Sequence, residues 1–316
     1  MSQHHHVYGP VLSRRLGRSL GVDLLPFKTC TYDCAYCQLG HTTSHTMERV
    51  EFVPVDDVLQ EVEEHLAKDR PDIITFAGSG EPTLHSGLGR CIEGIKKITD
   101  VPCAVITNGS LLWMPEVRRD LAKADMVNPS LDAALPCTAR KANFMAPGLN
   151  LRDILKGLVT FCSEYKGRIW LEIMLAKDLN DSEEDLEAIN AVLERLEHVE
   201  RVQLNTVTRP PADKEVMALS EDELKAVQKI LCRESEIIAS FAPAKEAGRK
   251  DITPDDVLDL VSCHPSTLQG LCQGLNAAED QVEKHVRYLL QQGRIVAEER
   301  AGESYFVCAR DDESGR

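Results

Sequence analysis

The sequence predicts an α/β fold, a partial six-stranded parallel (β/α)6 barrel followed by a small C-terminal domain. Three observations lead there. From Val22 to about Val207, short apolar stretches alternate with amphipathic stretches of helical period. The apolar stretches are continuous rather than alternating, as in strands buried on both faces. Beyond residue 252 this alternation stops, and three helical segments precede two short strands. Six βα repeats are too few to close an eight-stranded barrel, so an open one fits.

The elements follow in order. VDLL (22–25) reads as a first strand leading into a cysteine-bearing loop. In 55–68, Val55, Val58, Leu59, Val62 and Leu66 share one helical face. DIITFAG (72–78) is a buried strand ending in Gly, and a helix near 88–98 leads to a third strand at 101–109. A helix near 115–123 precedes a strand at 126–132, and a helix near 151–165 precedes one at 168–175. Ser182 is placed to cap a helix over 182–199, with acids in its first turn, before a last strand at 201–207. Residues 1–240 form the core with its N-terminal extension, and 241–252 the linker, rich in Pro, Gly and mixed charge. Residues 253–316 form the second domain. Thr253 caps and Pro254 opens its first helix, with further helices near 266–273 and 278–292. A hairpin turning at Ala301-Gly302 follows, and the arrangement resembles a winged helix. Val282, Val286, Leu289 and Leu290 lie on the core face of the third helix.

Composition narrows the function. With 43% hydrophobic and 28% charged residues, the chain has the make-up of a globular protein. No apolar run approaches the ~18 residues of a membrane span, and the N-terminus lacks an apolar segment of signal-peptide type. A cytoplasmic protein without membrane partners is expected. A formal net charge of −15 repels polyanions and argues against broad nucleic-acid binding. Arg14, Arg15 and Arg18 form a candidate basic patch, and His4, His5 and His6 read as a polar, disordered end. Of 11 cysteines, eight are scattered without shared spacing, as buried free thiols are.

The other three stand together. Cys30, Cys34 and Cys37 have the spacing C-x3-C-x2-C, with Tyr36 before the third. Three thiolates on a short loop can hold three irons of a [4Fe-4S] cube and leave the fourth open to a small molecule. The alternative is a zinc site, which usually pairs two C-x2-C units; no second such unit occurs.

With this spacing and aromatic, the chain resembles the radical S-adenosylmethionine (SAM) superfamily. The resemblance implies a [4Fe-4S] cluster, SAM bound to its open iron, and reductive cleavage to a 5'-deoxyadenosyl radical that takes hydrogen from a substrate. It also implies an electron donor, flavodoxin-like or ferredoxin-like. The run YGPVLSRRLGRSLGVDLLPFKTCTYDCAYCQLG looks like a bacterial and archaeal group related to the wyosine-forming tRNA enzymes, over roughly residues 8–240. The acidity of this chain and its tail depart from those relatives. The substrate stays unidentified, with a protein and a modified nucleoside among the candidates.

The remaining site residues follow the strands. In the family, a Gly-Gly-Glu segment after the second strand touches the amino group of SAM; here it is Gly78-Ser79-Gly80-Glu81. Asn108, Ser130 and Asp132 end the next two strands, and either bind the SAM ribose or carboxylate or cap the following helices. Glu172 lies in an apolar strand, so it should face the interior with a partner. Asn205 should point inward, and Arg209 pairs with a substrate anion, with Glu172, or only at the surface. Asn180-Asp181 reads as a loop and helix cap. No catalytic side chain is identified.

Two function classes remain. One is a radical SAM enzyme whose tail contacts substrate or protein. The other is a redox regulator in which the cluster controls DNA binding by the tail. From Asp251 the tail carries about seven net negative charges, and Glu279, Asp280 and Glu283 open its third helix, so DNA is not the expected partner.

Overall fold

Short buried strands alternating with one-sided helices can bury both faces of a sheet only if the sheet curves with its helices outside. A computed structural model, describing residues 6–13, 15–239, 252–263, 265–300 and 303–309, has this architecture. The chain opens with strands β1 (Val7–Ser13) and β2 (Gly17–Val22). The short pair β3 (Thr29–Cys30) and β4 (Ser44–His45) brackets the cysteines. Then come α1 (Val55–Leu66), β5 (Ile73–Phe76), α2 (Leu88–Ile98), β6 (Cys103–Thr107), α3 (Pro115–Leu121) and β7 (Met126–Pro129). Helices α4 (Pro136–Ala142) and α5 (Leu151–Glu164) lead to β8 (Arg168–Lys177), α6 (Glu183–Leu193) and β9 (Val199–Thr206). β10 (Met217–Ala218), α7 (Glu221–Ile230) and β11 (Ser235–Ile237) complete the core.

The main sheet runs β1-β2-β5-β6-β7-β8-β9-β11. The six strands β2, β5, β6, β7, β8 and β9 are parallel and neighbours in chain order, as in a barrel. β11 adds a further parallel strand beside β9, and β1 lies antiparallel on β2 at the other edge. Among the described residues these two edges do not pair, so the barrel is open.

The main core fills the space between sheet and helices, where Leu20, Ile74, Phe76 and Leu171 meet Val58, Ile92, Leu121 and Leu158. The inner face differs along its length. Near the strand starts, Leu16, Ile73, Ala104, Met126 and Trp170 close it with apolar bulk. One pleat further along, the alternation of strand side chains brings Thr75, Asn128 and Glu172 inward. The polar end therefore coincides with the loops that follow the strands.

Two expectations are corrected. VDLL is not the first strand: β2 ends at Val22. Asp23 turns the chain, accepting from Leu25 N at 3.2 Å and Ser79 N at 2.8 Å. Leu24 and Leu25 are apolar because they are buried in the core beside β2. The helix over 182–199 is shorter, ending at Leu193, while Ser182 caps it through Asp185 N at 3.2 Å. A further strand, β1, carries Pro10 on the sheet edge with a register shift between Tyr8 and Val11, where Pro is tolerated.

In the C-terminal part lie α8 (Pro254–Cys263), α9 (Leu268–Leu275), α10 (Glu279–Gln291), β12 (Ile295–Arg300) and β13 (Glu303–Cys308). Thr253 accepts from Asp256 N at 3.2 Å, and Thr267 caps α9. Val257, Leu260, Leu271, Val282, Val286 and Leu289 form a separate cluster, against which Val11 of β1 packs. Residues 241–251 of the expected linker over 241–252, with His4, His5, Arg14 and the turn at Ala301-Gly302, lie outside the described residues. No helix among the described residues is long and apolar enough to cross a membrane.

Candidate functional site

The cysteine loop is built by its own backbone and by the strand ends around it. Cys37 N donates to Cys34 O at 3.0 Å and Gly40 N to Cys37 O at 3.2 Å, so the loop coils tightly between its second and third cysteines. Thr46 N closes back on Cys30 O at 3.1 Å. All three side chains are free thiols and half-buried. Each sulfur receives a side-chain N–H from elsewhere: Asn108 Nδ2 lies 3.6 Å from Cys30 Sγ, Asn143 Nδ2 3.5 Å from Cys34 Sγ, and Lys28 Nζ 3.1 Å from Cys37 Sγ. Burial, then the Glu81 charge, pushes the Cys30 thiol up to about 12; burial, then Cys37 and Cys30, raises Cys34 as well. Such thiols ionise only against a strongly positive partner, and a metal core is one. Among the described residues no three His, Cys, Asp or Glu converge as ligands of one ion do. Three separate thiolates can each hold one iron of a cube and leave the fourth open, so the donor set suits it.

The turn after β5 packs directly on this loop. Lys28 N donates to Ser79 O at 2.8 Å, and Glu81 N to Thr29 O at 3.3 Å. A Cβ on Gly80 would sit 1.8 Å from Thr29 O, so no larger residue fits there. The need for Gly80 thus comes from the cysteine loop itself. Glu81 is buried and held by its own chain: Oε1 accepts from Thr83 N at 3.1 Å, Thr83 Oγ1 at 2.5 Å and Thr107 Oγ1 at 2.6 Å. Oε2 accepts from Asn108 N at 2.7 Å and keeps room for another donor. Burial raises the Glu81 carboxyl, and the Thr107 and Thr83 bonds pull it back.

Asp132 anchors the other side. Oδ2 accepts from Tyr36 Oη at 2.5 Å and Oδ1 from Met174 N at 2.9 Å. Asn143 Nδ2 donates to Tyr36 Oη at 2.6 Å, completing a hydrogen-bonded path from Cys34 through Asn143 and Tyr36 to Asp132. Burial pushes the Asp132 carboxyl up to about 6, despite the Tyr36 bond. Asn108, Ser130, Asp132 and Asn143 line one small cavity with Tyr32. On β7 Asn128 is fully buried, and neither of its side-chain polar atoms has a hydrogen-bond partner among the described residues. A bound water or ligand satisfies such an amide.

Glu172 and Asn205 form a second group in the barrel interior. Glu172 accepts from Arg15 Nη1 at 2.5 Å and from Asn205 Nδ2 at 2.8 Å. Glu172 thus faces inward with a partner, as its strand position predicted. The proposed basic patch is corrected by the same contacts: Arg15 is paired with Glu172 and Arg18 with Asp69. Arg209 reaches Gln38 at 2.6 Å. Asn180 braces the site, donating to Asp132 O at 2.8 Å and Met174 O at 2.7 Å. Lys28, Asn143 and Asp23 were missed by sequence reasoning. Lys28 lies within the cysteine run without belonging to its spacing, and Asn143 and Asp23 are defined by partners 109 and 56 positions away in the chain.

A family model described as Radical SAM superfamily matches residues 24–189, which span the cysteine loop and the strand ends just described. A UPF0026 protein of Methanocaldococcus jannaschii is 33% identical over 313 residues, 95% of either chain. The chain belongs to the radical SAM superfamily. As a radical SAM protein it is an enzyme, with a [4Fe-4S] cluster and SAM as cofactors. A UPF0026 protein of Synechocystis is 40% identical over 65% of this chain and 76% of its own. A protein of Brachyspira hyodysenteriae named GTPase Obg is 37% identical over 92% of this chain, which spans 43% of that relative's length. This radical SAM chain has no Gly-Lys-Ser/Thr phosphate loop. Among solved structures, TYW1 with a lysine-pyruvate adduct bound shares the fold at a TM-score of 0.53 and 20% identity, covering 69% of this chain and 74% of its own. A radical SAM methyltransferase from Sphaerobacter thermophilus shares it at 0.50 and 18% identity, covering 71% and 67%.

Proposed function

We propose that this protein abstracts a hydrogen atom from a substrate bound over the strand ends. The cluster is held by Cys30, Cys34 and Cys37, and SAM is held by Gly78, Gly80, Glu81, Asn108, Ser130, Asp132, Glu172 and Asn205. The observation that carries the reading is the join between the cysteine loop and the rim. Gly80 packs on Thr29, and Asn108 and Asn143 reach from the rim to the cysteine sulfurs. When bound, the cluster supplies one-electron cleavage of SAM to a 5'-deoxyadenosyl radical.

The chain's own groups bind and orient. The acceptor capacity left on Glu81 Oε2 suits an ammonium, since a buried carboxylate with a spare lone pair favours a charged donor. Glu81 also fixes Thr107 and Asn108, so a carboxylate from the turn after β5 sets the position of the end of β6. Tyr36 and Met174 N hold Asp132 toward the same cavity. The polar interior around Arg15, Glu172 and Asn205 offers hydrogen bonds to a substrate entering from above.

In this reading the electron comes from a flavodoxin-like or ferredoxin-like donor, and the enzyme works in the cytoplasm. Residues 253–316 are read as a winged-helix-like domain for substrate or protein contact. Its α10 opens with Glu279 and Asp280, which phosphates repel, so the regulator reading has no support of its own.

Anaerobic reconstitution tests the function. About four irons per chain should load, and reductant with SAM should give 5'-deoxyadenosine slowly, faster with substrate. Cys34→Ala should abolish the product. A reduced, iron-loaded protein that neither binds SAM nor yields 5'-deoxyadenosine with tRNA, metabolite or protein pools would sink the reading.

A further inference from the structure

We infer that Lys28 sets the reduction potential of the cluster by placing its ammonium on the Cys37 thiolate. The inference rests on the assignment of the cluster to Cys30, Cys34 and Cys37. Three observations carry it. Lys28 is only 3% exposed, although lysine is almost never buried without a partner. Its Nζ lies 3.1 Å from Cys37 Sγ. Its backbone has φ +58°, a left-handed conformation in which glycine is the default residue.

The backbone conformation is imposed by the loop. Lys28 N donates to Ser79 O at 2.8 Å, and Lys28 O accepts from Thr43 N at 3.1 Å and Ser44 N at 3.0 Å. A side chain kept at such a position costs strain that glycine would not, so its presence points to what the side chain does. The two amides on Cys30 and Cys34 are neutral donors. Lys28 alone brings a full charge to a cysteine sulfur among these three donors.

The step concerned is one-electron reduction of [4Fe-4S]2+ to [4Fe-4S]+. The electron comes from an external one-electron donor, and no proton or bond is transferred. Reduction adds negative charge to the cluster, and a fixed positive charge on a ligand sulfur stabilises the reduced form more than the oxidised one. Hydrogen bonds to the sulfurs and net charge are the protein's levers on such potentials. Lys28 acts through Cys37 and is a positioning residue for the electron, with no contact to substrate required.

The test is an anaerobic redox titration of the reconstituted full chain with dithionite and mediators, following the EPR signal of the reduced cluster. Lys28→Met keeps the length and removes the charge. It should lower the reduced-to-oxidised ratio at a given solution potential about tenfold, equivalent to ~59 mV for one electron. Lys28→Arg should stay near wild type. Lys28→Gly relieves the backbone, so it should load iron normally, melt no lower than wild type, and still show the lowered ratio. An unchanged ratio in iron-loaded Lys28→Met and Lys28→Gly overturns the inference. So does loss of iron binding in a folded Lys28→Gly, because Lys28 would then serve loading rather than potential. If wild type itself loads no cluster, the assignment of the cluster has failed, and with it this inference.

Discussion

Asp132 shows how much one buried carboxyl is asked to tolerate. Its oxygens take two hydrogen bonds, from Tyr36 and Met174 N, yet burial still pushes it up to about 6. An unfolded Asp ionises near ~3.9. Between about pH 4 and 6 the folded chain therefore keeps a proton that the unfolded chain has lost. For this group, stability falls as pH rises through that window and is level above it. Two pKa units correspond to about 3 kcal/mol. Urea unfolding of the metal-free protein at about pH 4.5 and 6.5 should show the fall, and Asp132→Asn should remove that share of it. The same pH dependence in both proteins would show that Asp132 ionises freely. At this scale the sequence was partly legible. Cys30, Cys34, Cys37 and Glu81 sit in short local motifs, and local spacing is what a sequence displays. Lys28, Asn143 and Arg15 were not legible as site residues. Their partners lie 9, 109 and 157 positions away, and only the fold brings them together.

Among the elements, the parallel strands from β5 to β9, unlike β2, which was misplaced onto VDLL, were legible because each has an apolar run and alternates with helices of clear period. The sheet edges were not. β1 contains Pro10, which ordinarily argues against a strand, and β11 has three half-buried residues. α7 was overlooked although Ser220 and Glu223 form a capping box, a pattern visible in the sequence. The junction of the cysteine loop with the turn after β5 gives a prediction. A methyl group on Gly80 would lie 1.8 Å from Thr29 O, a backbone atom that cannot swing aside. Gly80→Ala should cost about 3 kcal/mol in urea unfolding, the upper range for overpacking. It should also lower iron loading, because Thr29 precedes Cys30. Gly40→Ala is the comparison: φ is +83° and nothing lies within 4 Å of its Cβ position, so the cost is left-handed strain of about 1 kcal/mol. Equal losses in the two variants would mean that the close approach is not what constrains Gly80.

For the whole molecule, the N-terminal hairpin ties its parts together. β1 packs through Val11 on the C-terminal cluster and pairs with β2 at the edge of the barrel. The segment between the two strands sends Arg15 into the barrel interior, where it meets Glu172 of β8 at 2.5 Å. Their side chains are 14% and 12% exposed, so solvent screens the pair little. Removing one member of such a pair leaves a buried charge without its counter-ion and costs about 3–5 kcal/mol. Arg15→Met should therefore destabilise the chain strongly, softened here because Asn205 still donates to Glu172 at 2.8 Å. Glu172→Gln should also be costly, because it strands the guanidinium, which then keeps Gln203 at 3.2 Å as an acceptor inside the barrel. The double variant removes both charges together. It should lose less stability than the two single losses added, with a coupling of about 1–3 kcal/mol in equilibrium urea unfolding. A coupling indistinguishable from zero would mean that the hairpin closes the barrel by the packing of Leu16 alone, and that Arg15 contributes nothing to holding Glu172 in place.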